Sequence, residues 1–428
     1  MEYYCKAIIL MWVTNSEREQ KSLGKQFLRG GLMYISENFN TELKYSCDVL
    51  VCGGGIAGIA AAVSAARSGK SVILTERQFM LGGLATAGLV TMYLPLCDGK
   101  GNQVSFGLAE ELLKLSIAHW HNNERGYSNW IEHTDIKNDE KTPRYEVDFN
   151  PQLFAISAEE LLIKENVMIL YGTTAVATSV ENDKIKAVIF ENKSGRFGIT
   201  ANSFIDATGD ADLGKFSDTP TETFKQGNVL AAWYYLNKND RYELKPLGCA
   251  DIPDSQKTED NKVELLSNKR YTGLDGEEIS NMMISSHNRV MNDFLKQKES
   301  NPDIQPTTIA TIPQLRMTRR VSGEYTLDDN EMFKHFEDSV GLISDWRKRG
   351  PVYEVPFRTL YSSKTKNLLF AGRITSVTDA MWDIMRVIPC CAVTGEAAGI
   401  AASLCDDMTK LDISKLQTEL MRRGVKLH

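Results

Sequence analysis

Asp48-Val49-Leu50-Val51-Cys52-Gly53-Gly54-Gly55-Ile56-Ala57-Gly58 is a short apolar run broken by three glycines and resumed by small residues. Residues 48–52 have the length and content of a buried strand. Residues 56–68 carry Ala57, Ala60, Ala61, Ala62, Ala65 and Ala66, which make a narrow helix that Gly69-Lys70 ends. Ser71-Val72-Ile73-Leu74-Thr75 is a second apolar strand, closed by Glu76. Strand, turn, helix and strand in so short a span predict the βαβ unit of a parallel sheet. The turn Gly53-x-Gly55-x-x-Gly58 has the dinucleotide-binding spacing. Gly53 permits the tight turn, Gly55 lets backbone N–H groups approach a pyrophosphate, and Gly58 lets the helix pack close to the strand. Glu76 follows Gly58 by 18 residues, where a carboxylate can accept ribose hydroxyls. A lone GxGxxG is a weak signal; one set between a strand and a helix, with the acid in register, is strong. The alternative is a glycine turn beside a solvated glutamate.

Outward from this unit, residues 79–97 are glycine-rich and apolar, 107–118 read as a helix and 119–149 as a polar, irregular insertion. Pro151 opens a helix to 165. Strands follow at 167–171, 175–181, 185–192 and 197–200, the last three a meander, and a further strand at 203–207 ends in Thr208-Gly209-Asp210. Composition changes after residue 215: 238–302 is highly charged with a helix at 279–296, and 306–362 reads as β-rich with one helix near 328–349. Sheet pattern returns at Asn367–Arg373, and an alanine- and glycine-rich helix runs from Pro389 to about 404. The expected fold is α/β: a Rossmann-like parallel sheet with a β-meander, plus an inserted α+β substrate domain. The expected units are an N-terminal extension (1–45), a first part of the dinucleotide domain (46–215), a cap (216–362), a second part (363–406) and a C-terminal helix or tail (407–428). Arg29-Gly30-Gly31 ahead of Met33 is what a translated ribosome-binding sequence would encode, so Met33 is the expected natural start.

The chain has 428 residues, 42% hydrophobic and 25% charged, with net charge −7 and eight cysteines. At ~150 residues per domain this length predicts two or three domains, and the composition excludes a disordered or disulfide-stapled chain. The acidic balance, with a pI of 5.6, argues against nucleic acid as a partner. No apolar run approaches the ~18 residues of a membrane helix. The cysteines form no CxxC pair and no cluster, so no iron–sulfur centre, structural zinc or other metal site is expected, and a cytoplasmic setting fits best.

Four blocks extend the reading. They are the stretch 48–58 with Glu76; Leu81-Gly82-Gly83-Leu84-Ala85-Thr86-Ala87-Gly88; Phe204-Ile205-Asp206-Ala207-Thr208-Gly209-Asp210; and Leu368-Leu369-Phe370-Ala371-Gly372-Arg373 with Arg386-Val387-Ile388-Pro389-Cys390-Cys391 and its continuation to Gly399. With Arg316-Met317-Thr318-Arg319-Arg320, they make residues 46–406 resemble the FAD-dependent oxidoreductases of the two-dinucleotide-fold flavoproteins, related to heterodisulfide reductase A-type, fumarate reductase-type and glutathione reductase-type enzymes. The resemblance implies FAD held by Gly53, Gly55, Ile56, Ala57, Gly58, Glu76, Arg77, Gly82, Gly83, Leu84, Val176, Ala207, Thr208, Gly209, Gly372, Arg373, Gly395 and Ala398. Val176 would offer its strand's backbone to the adenine edge. Gly395 and Gly399 would give the last helix a smooth face toward the flavin, ordinary small-residue packing being the alternative.

Arg386 and Asp379 are candidate catalytic groups, with Trp382 in the same loop, which lacks the His or Glu of many relatives. Arg316 and Arg320, with Arg319, could clamp a carboxylate; interdomain salt bridges are the alternative. His119, His121 and His133 read as surface histidines and Cys390-Cys391 as packing thiols. The implied activity is hydride transfer between a small polar organic substrate and flavin N5, with an unknown electron donor or acceptor and the oligomeric state left open. The alternatives are an FAD-binding subunit of a larger electron-transfer complex and a flavoprotein acting on tRNA or isoprenoids. Without a CxxC or a second GxGxxG, a disulfide reductase is not expected.

Overall fold

In the computed structural model of the chain, residues 35–119, 147–239, 241–248 and 265–428 are described. His121, His133, Met33 and most of the polar insertion lie outside the described residues. Residues 35–40 belong to one unit and have no regular structure; Thr41–His428 form the other.

The second unit opens with β1 (Leu43–Cys52), α1 (Ile56–Arg67) and β2 (Val72–Thr75), the predicted βαβ arrangement. Then come β3 (Met92–Tyr93), α2 (Leu108–Ile117), β4 (Val147–Asp148), α3 (Pro151–Lys164), β5 (Met168–Leu170), β6 (Thr174–Glu181), β7 (Lys184–Asn192) and β8 (Gly195–Asp206). β2 and β5 run parallel to β1 on one side, and β8 lies parallel to it on the other. Side chains of β1 alternate between two buried faces: Val49 and Val51 meet the helices, Leu50 and Cys52 the opposite layer. A sheet covered on both faces reads as a continuous apolar run, which is why 48–52 shows no polar alternation.

The strands expected at 197–200 and 203–207 are one. Pairing with β1 continues unbroken through Ser46↔Thr200 and Cys47↔Ala201, so residues 201–202 stay extended. The first half of β8 also carries the antiparallel meander β6–β7, and its last residues carry a parallel strand from much later in the chain, β16 (Leu368–Phe370).

After β8 come α4 (Asp212–Phe216), β9 (Thr221–Thr223), β10 (Ala232–Lys238), β11 (Arg241–Leu247), α5 (Gly276–Ser300), β12 (Gln305–Ile309), β13 (Arg319–Val321), β14 (Ser339–Ser344) and β15 (Val352–Pro356). β16 (Leu368–Phe370), α6 (Asp379–Met385), α7 (Ile388–Leu404) and α8 (Ile413–Arg422) complete the chain. The antiparallel sheet β11-β10-β12 packs α5 through Tyr234, Leu236 and Val290, a small core of its own. Two results differ from the sequence reading of 306–362. The helix expected near 328–349 is absent; Gly341, with φ +155°, and the pairs Leu342↔Glu354 and Ile343↔Tyr353 make a β14–β15 hairpin there. And that hairpin shares the main core: Val340, Ile343, Tyr353 and Val355 pack with α7 and α8, so the core does not divide at residue 362.

Among the described residues no single helix is long and apolar enough to cross a membrane; α6 and α7 together reach that hydropathy but meet at 89°.

Candidate active site

β1 ends at the glycine turn because Gly53 has φ +107° and a Cβ on it would stand 2.3 Å from Ala207 O. Gly58 is closed in the same way, its Cβ position 1.8 Å from Gly53 O, so α1 rests directly on the turn. Gly55 differs: among the described residues, nothing beyond its own chain neighbours lies within 4 Å of its Cβ position. That open side faces a cavity of about 660 Å³. Glu76 is buried, its Oε2 accepting the Gly54 N–H at 2.7 Å and its Oε1 the Gln78 N–H at 2.7 Å. Both oxygens keep a lone pair for a further donor, since a carboxylate accepts about four hydrogen bonds. The second glycine block closes the wall: Gly82, at φ +95°, donates to Gly54 O at 2.8 Å.

The two cavity-facing helices are left open at their N-termini. Asn150, Asp275, Thr378 and Asp412 cap α3, α5, α6 and α8 with their side chains, whereas the N-cap residues of α1 and α7, like those of α2 and the short α4, offer no side-chain cap; at α2 and α4 the carboxylates of Glu396 and Asp206 take its place. Gly55, Ile56 and Ala57 at one end and Val387 and Ile388 at the other line the cavity. Two sets of N–H groups and two positive dipole ends therefore point into one volume.

Between them the chain leaves and re-enters the main sheet. Thr208-Gly209 and Gly372-Arg373 lie side by side, the Arg373 guanidinium 2.6 Å from where a Gly209 Cβ would be. Asp206 is fully buried and accepts the Thr208 N–H and hydroxyl and the Gly214 N–H; burial, reinforced by Asp212, pushes its carboxyl up to about 6. Asp210 accepts from Arg373 Nη2 at 3.0 Å and from Thr318 Oγ1 at 2.8 Å, with Arg77 at 3.8 Å. It orients Arg77 and Arg373, both of which line the cavity. Among the described residues the buried Arg373 Nε has no hydrogen-bond partner.

At the far end Arg386 lines the cavity beside Trp346. Asp383, 0% exposed, holds both: it accepts Arg386 Nε at 3.0 Å, and its backbone carbonyl accepts Trp346 Nε1 at 3.0 Å. Arg347 Nη1 stands 3.6 Å from Asp383 and its Nε 3.0 Å from Asp345, so the acid is shared between two arginines. Cys391 also faces the cavity, its thiol pushed up to about 11 by burial against the pull of Arg373 and Arg386. Cys390 turns away, toward Ile384 O, while Cys391 turns toward Arg386 O. The cap supplies the last wall: Trp233, Pro246, Ile312, Pro313 and Leu315 share it with Arg316, which is 5% exposed, lies 5.2 Å over the Trp233 ring and reaches Gln314 Oε1 at 3.5 Å.

Residues 48–232 and 223–420 match the family described as FAD dependent oxidoreductase. The chain belongs to that family. A curated relative, the thioredoxin reductase of Ureaplasma parvum serovar 3, is 38% identical over 71 residues, which span 17% of this chain and 23% of that protein. Among solved structures, a geranylgeranyl bacteriochlorophyll reductase-like protein from Thermoplasma acidophilum aligns at 14% identity with a TM-score of 0.45, covering 89% of this chain and 84% of its own. The flavin-dependent brominase Bmp2 aligns at 8% identity and a TM-score of 0.43, covering 88% and 83%.

As an FAD-dependent oxidoreductase the chain takes FAD, and its residues fit that group. The void beside Gly55, the uncapped N-termini of α1 and α7 and the free lone pairs of Glu76 all face one cavity, with the Arg373 side chain in its wall. The α1 N–H groups suit a diphosphate, Glu76 a ribose, and the α7 N-terminus the edge of the flavin ring that becomes negative on reduction.

The structure sorts the remaining sequence candidates. Gly53, Gly55, Ile56, Ala57, Glu76, Arg77, Gly82, Gly83, Leu84, Ala207, Thr208, Gly209, Gly372, Arg373, Arg316 and Arg386 line the cavity. Gly395 does not: a Cβ there would stand 2.2 Å from Ala57 O, and one on Gly399 2.0 Å from Ser64 Oγ, so both glycines serve α1–α7 packing. Ala398 is buried in the same helix away from the cavity, and Val176 lies on β6, the edge strand of the meander, without lining it. Arg320 and Asp379 do not line the cavity either. They bind each other, Arg320 also reaches Glu222 at 2.8 Å, and its guanidinium covers the Trp382 ring at 4.4 Å. Trp382 is a core residue at 0% exposure, and Arg319 pairs with Asp212 at 2.9 Å. Trp233 and Trp346, missed by sequence reading, lie in segments without a motif, and no local signal marks them.

Proposed function

We propose that this FAD-dependent oxidoreductase passes a hydride between flavin N5 and an organic acid with an apolar or planar body. Bound FAD supplies the hydride acceptor or donor. The observation that carries the reading is the composition of the cap wall: aromatic and aliphatic groups, with one buried guanidinium, Arg316, among them. An apolar body gains from leaving water against Trp233, Ile312 and Leu315, and a carboxylate is the group a buried guanidinium recognises by charge-assisted hydrogen bonds. Arg386, fixed by Asp383, is the second positive group and faces the cavity from the α7 side. A substrate seated under the cap would displace water from the space between. The substrate is therefore less polar than sequence alone implies, and its charge is local.

Anaerobic bleaching of the flavin tests this. Hydroxy acids and other carboxylates with a hydrophobic body should bleach it, while their amides or esters, simple sugars and neutral steroids should not. Arg316→Met should keep full FAD content and lower the bleaching rate at subsaturating acid by roughly 10- to 100-fold, the loss of one or two strong hydrogen bonds. Equal bleaching by an acid and its amide would overturn the reading.

A further inference from the structure

His335, Glu354 and His428 come from three separate parts of the chain. One follows β13, one lies on β15, and one follows the anchored segment after α8. Their ligand atoms all lie within 4.8 Å of one another. Glu354 Oε1 is 3.4 Å from His335 Nδ1 and 3.0 Å from His428 Nδ1. The other carboxylate oxygen is committed, since Glu354 Oε2 accepts the Phe336 N–H at 2.7 Å. That bond turns Oε1 toward the two imidazoles. His335 Nε2 stands 3.5 Å from Glu337, whose carboxylate would hold the proton on Nε2 and leave the Nδ1 lone pair free. His428 is placed with equal definition: Leu427 is buried, and its carbonyl accepts the Ser339 hydroxyl at 2.6 Å. The two rings have their centroids 4.5 Å apart.

We infer that these three side chains bind a divalent first-row transition ion, Zn²⁺ by the chemistry of the set. Two neutral imidazoles and one carboxylate suit that ion, with solvent completing the coordination. None of the three residues belongs to a cofactor motif, and none lines the main cavity. Bound there, the ion would fasten the segment after α8 to the β14–β15 hairpin, which packs on α7. Its role is a staple, and no step of the redox reaction passes through it.

The test uses tag-free, FAD-loaded protein dialysed at neutral pH against Zn²⁺ and then against metal-free buffer, with metal and flavin both measured. The wild type should retain one Zn²⁺ per chain and gain in Tm when Zn²⁺ is added. His335→Ala and His428→Ala should each lose the ion and the Tm gain while keeping full FAD content, which shows that they fold. Glu354→Gln should weaken retention at least ten-fold. No retained Zn²⁺ in the wild type would overturn the proposal. So would retention unchanged in both histidine variants, which would assign the ion to histidines elsewhere, such as His119, His121 and His133.

Discussion

Helices α1 and α7 touch along one seam and part at one mouth. At the seam a Cβ on Gly395 would stand 2.2 Å from Ala57 O; at the mouth a Cβ on Gly55 would meet, among the described residues, nothing within 4 Å beyond its own chain neighbours. Both positions are glycines with another glycine three or four residues on, and their work is opposite. Gly395 removes volume so that two helices can close. Gly55 leaves volume so that a ligand can enter. The difference teaches that small residues on a flavin-domain helix are not by themselves evidence of a flavin-facing surface; what stands opposite decides.

The contrast breaks most visibly under one substitution made twice. Gly395→Val should yield little folded protein, because the seam is backbone against backbone and the strain exceeds about 3 kcal/mol. Gly55→Val should fold, since Gly55 has an ordinary extended conformation with φ −70°, yet purify colourless because the side chain fills the diphosphate space. Soluble yield, circular dichroism and flavin absorbance read both. A yellow, stable Gly395→Val protein would erase the distinction.

The neighbour of Gly395 sharpens it. Glu396 is 2% exposed and its carboxylate accepts the Leu108 N–H at 2.8 Å, taking the place of a cap for α2. Burial pushes it up to about 7, against the Leu108 N–H and Arg423. In the folded state it therefore holds a proton that the unfolded chain has already released. Its contribution to stability is full below the ordinary carboxylate range and is lost as pH rises from about 4.5 to 7. Glu396→Gln keeps an acceptor for Leu108 and removes the titration. It should be more stable than wild type above pH 7 by roughly 2–3 kcal/mol and lack the decline between. Urea midpoints at pH 5 and pH 8 decide this, and parallel pH profiles for the two proteins would refute it.

At the mouth, Glu76→Ala should weaken FAD binding by about 1.5–3 kcal/mol without preventing folding, the loss of charge-assisted hydrogen bonds to ribose. Fluorescence titration of apoprotein with FAD measures it. An unchanged Kd would mean that Glu76 serves only Gly54 and Gln78.

The mouth was legible in the sequence because it is built from backbone. Gly53, Gly58, Gly82 and Gly83 are forced by conformation or close approach, Gly55 keeps the ligand side open, and such positions leave a spacing that can be read. The parallel sheet was legible for a related reason: β1 and β2 are buried on both faces and appear as unbroken apolar runs. The cap wall left no such trace. Trp233 and Arg316 are far apart in sequence and meet only because β10 and the segment before β13 fold onto one side of the cavity. His335, Glu354 and His428 are hidden the same way, at separations of 19 and 74 residues. The helix wrongly expected near 328–349 shows the converse, local polarity outweighed by a hairpin whose apolar residues belong to the main core.

Asp379 gives the smallest expected effect and the finest test of where the mouth ends. Sequence reading puts it beside the flavin because it stands in the loop ahead of α7. The structure turns it outward: its side chain is 45% exposed, and it shares Arg320 with Glu222. Arg320 keeps Glu222 and the Trp382 ring when Asp379 is neutralised, so the pair contributes no more than about 1 kcal/mol. Asp379→Asn should then reduce its flavin within about two-fold of the wild-type rate, whereas Arg386→Ala, which removes a cavity-lining cation, should slow reduction by roughly ten-fold or more. Stopped-flow reduction with one bleaching substrate compares the two directly. If Asp379→Asn proves as slow as Arg386→Ala at full FAD content, the Arg320–Asp379 pair reaches the reacting atoms, and the wall of the site must be redrawn through α6.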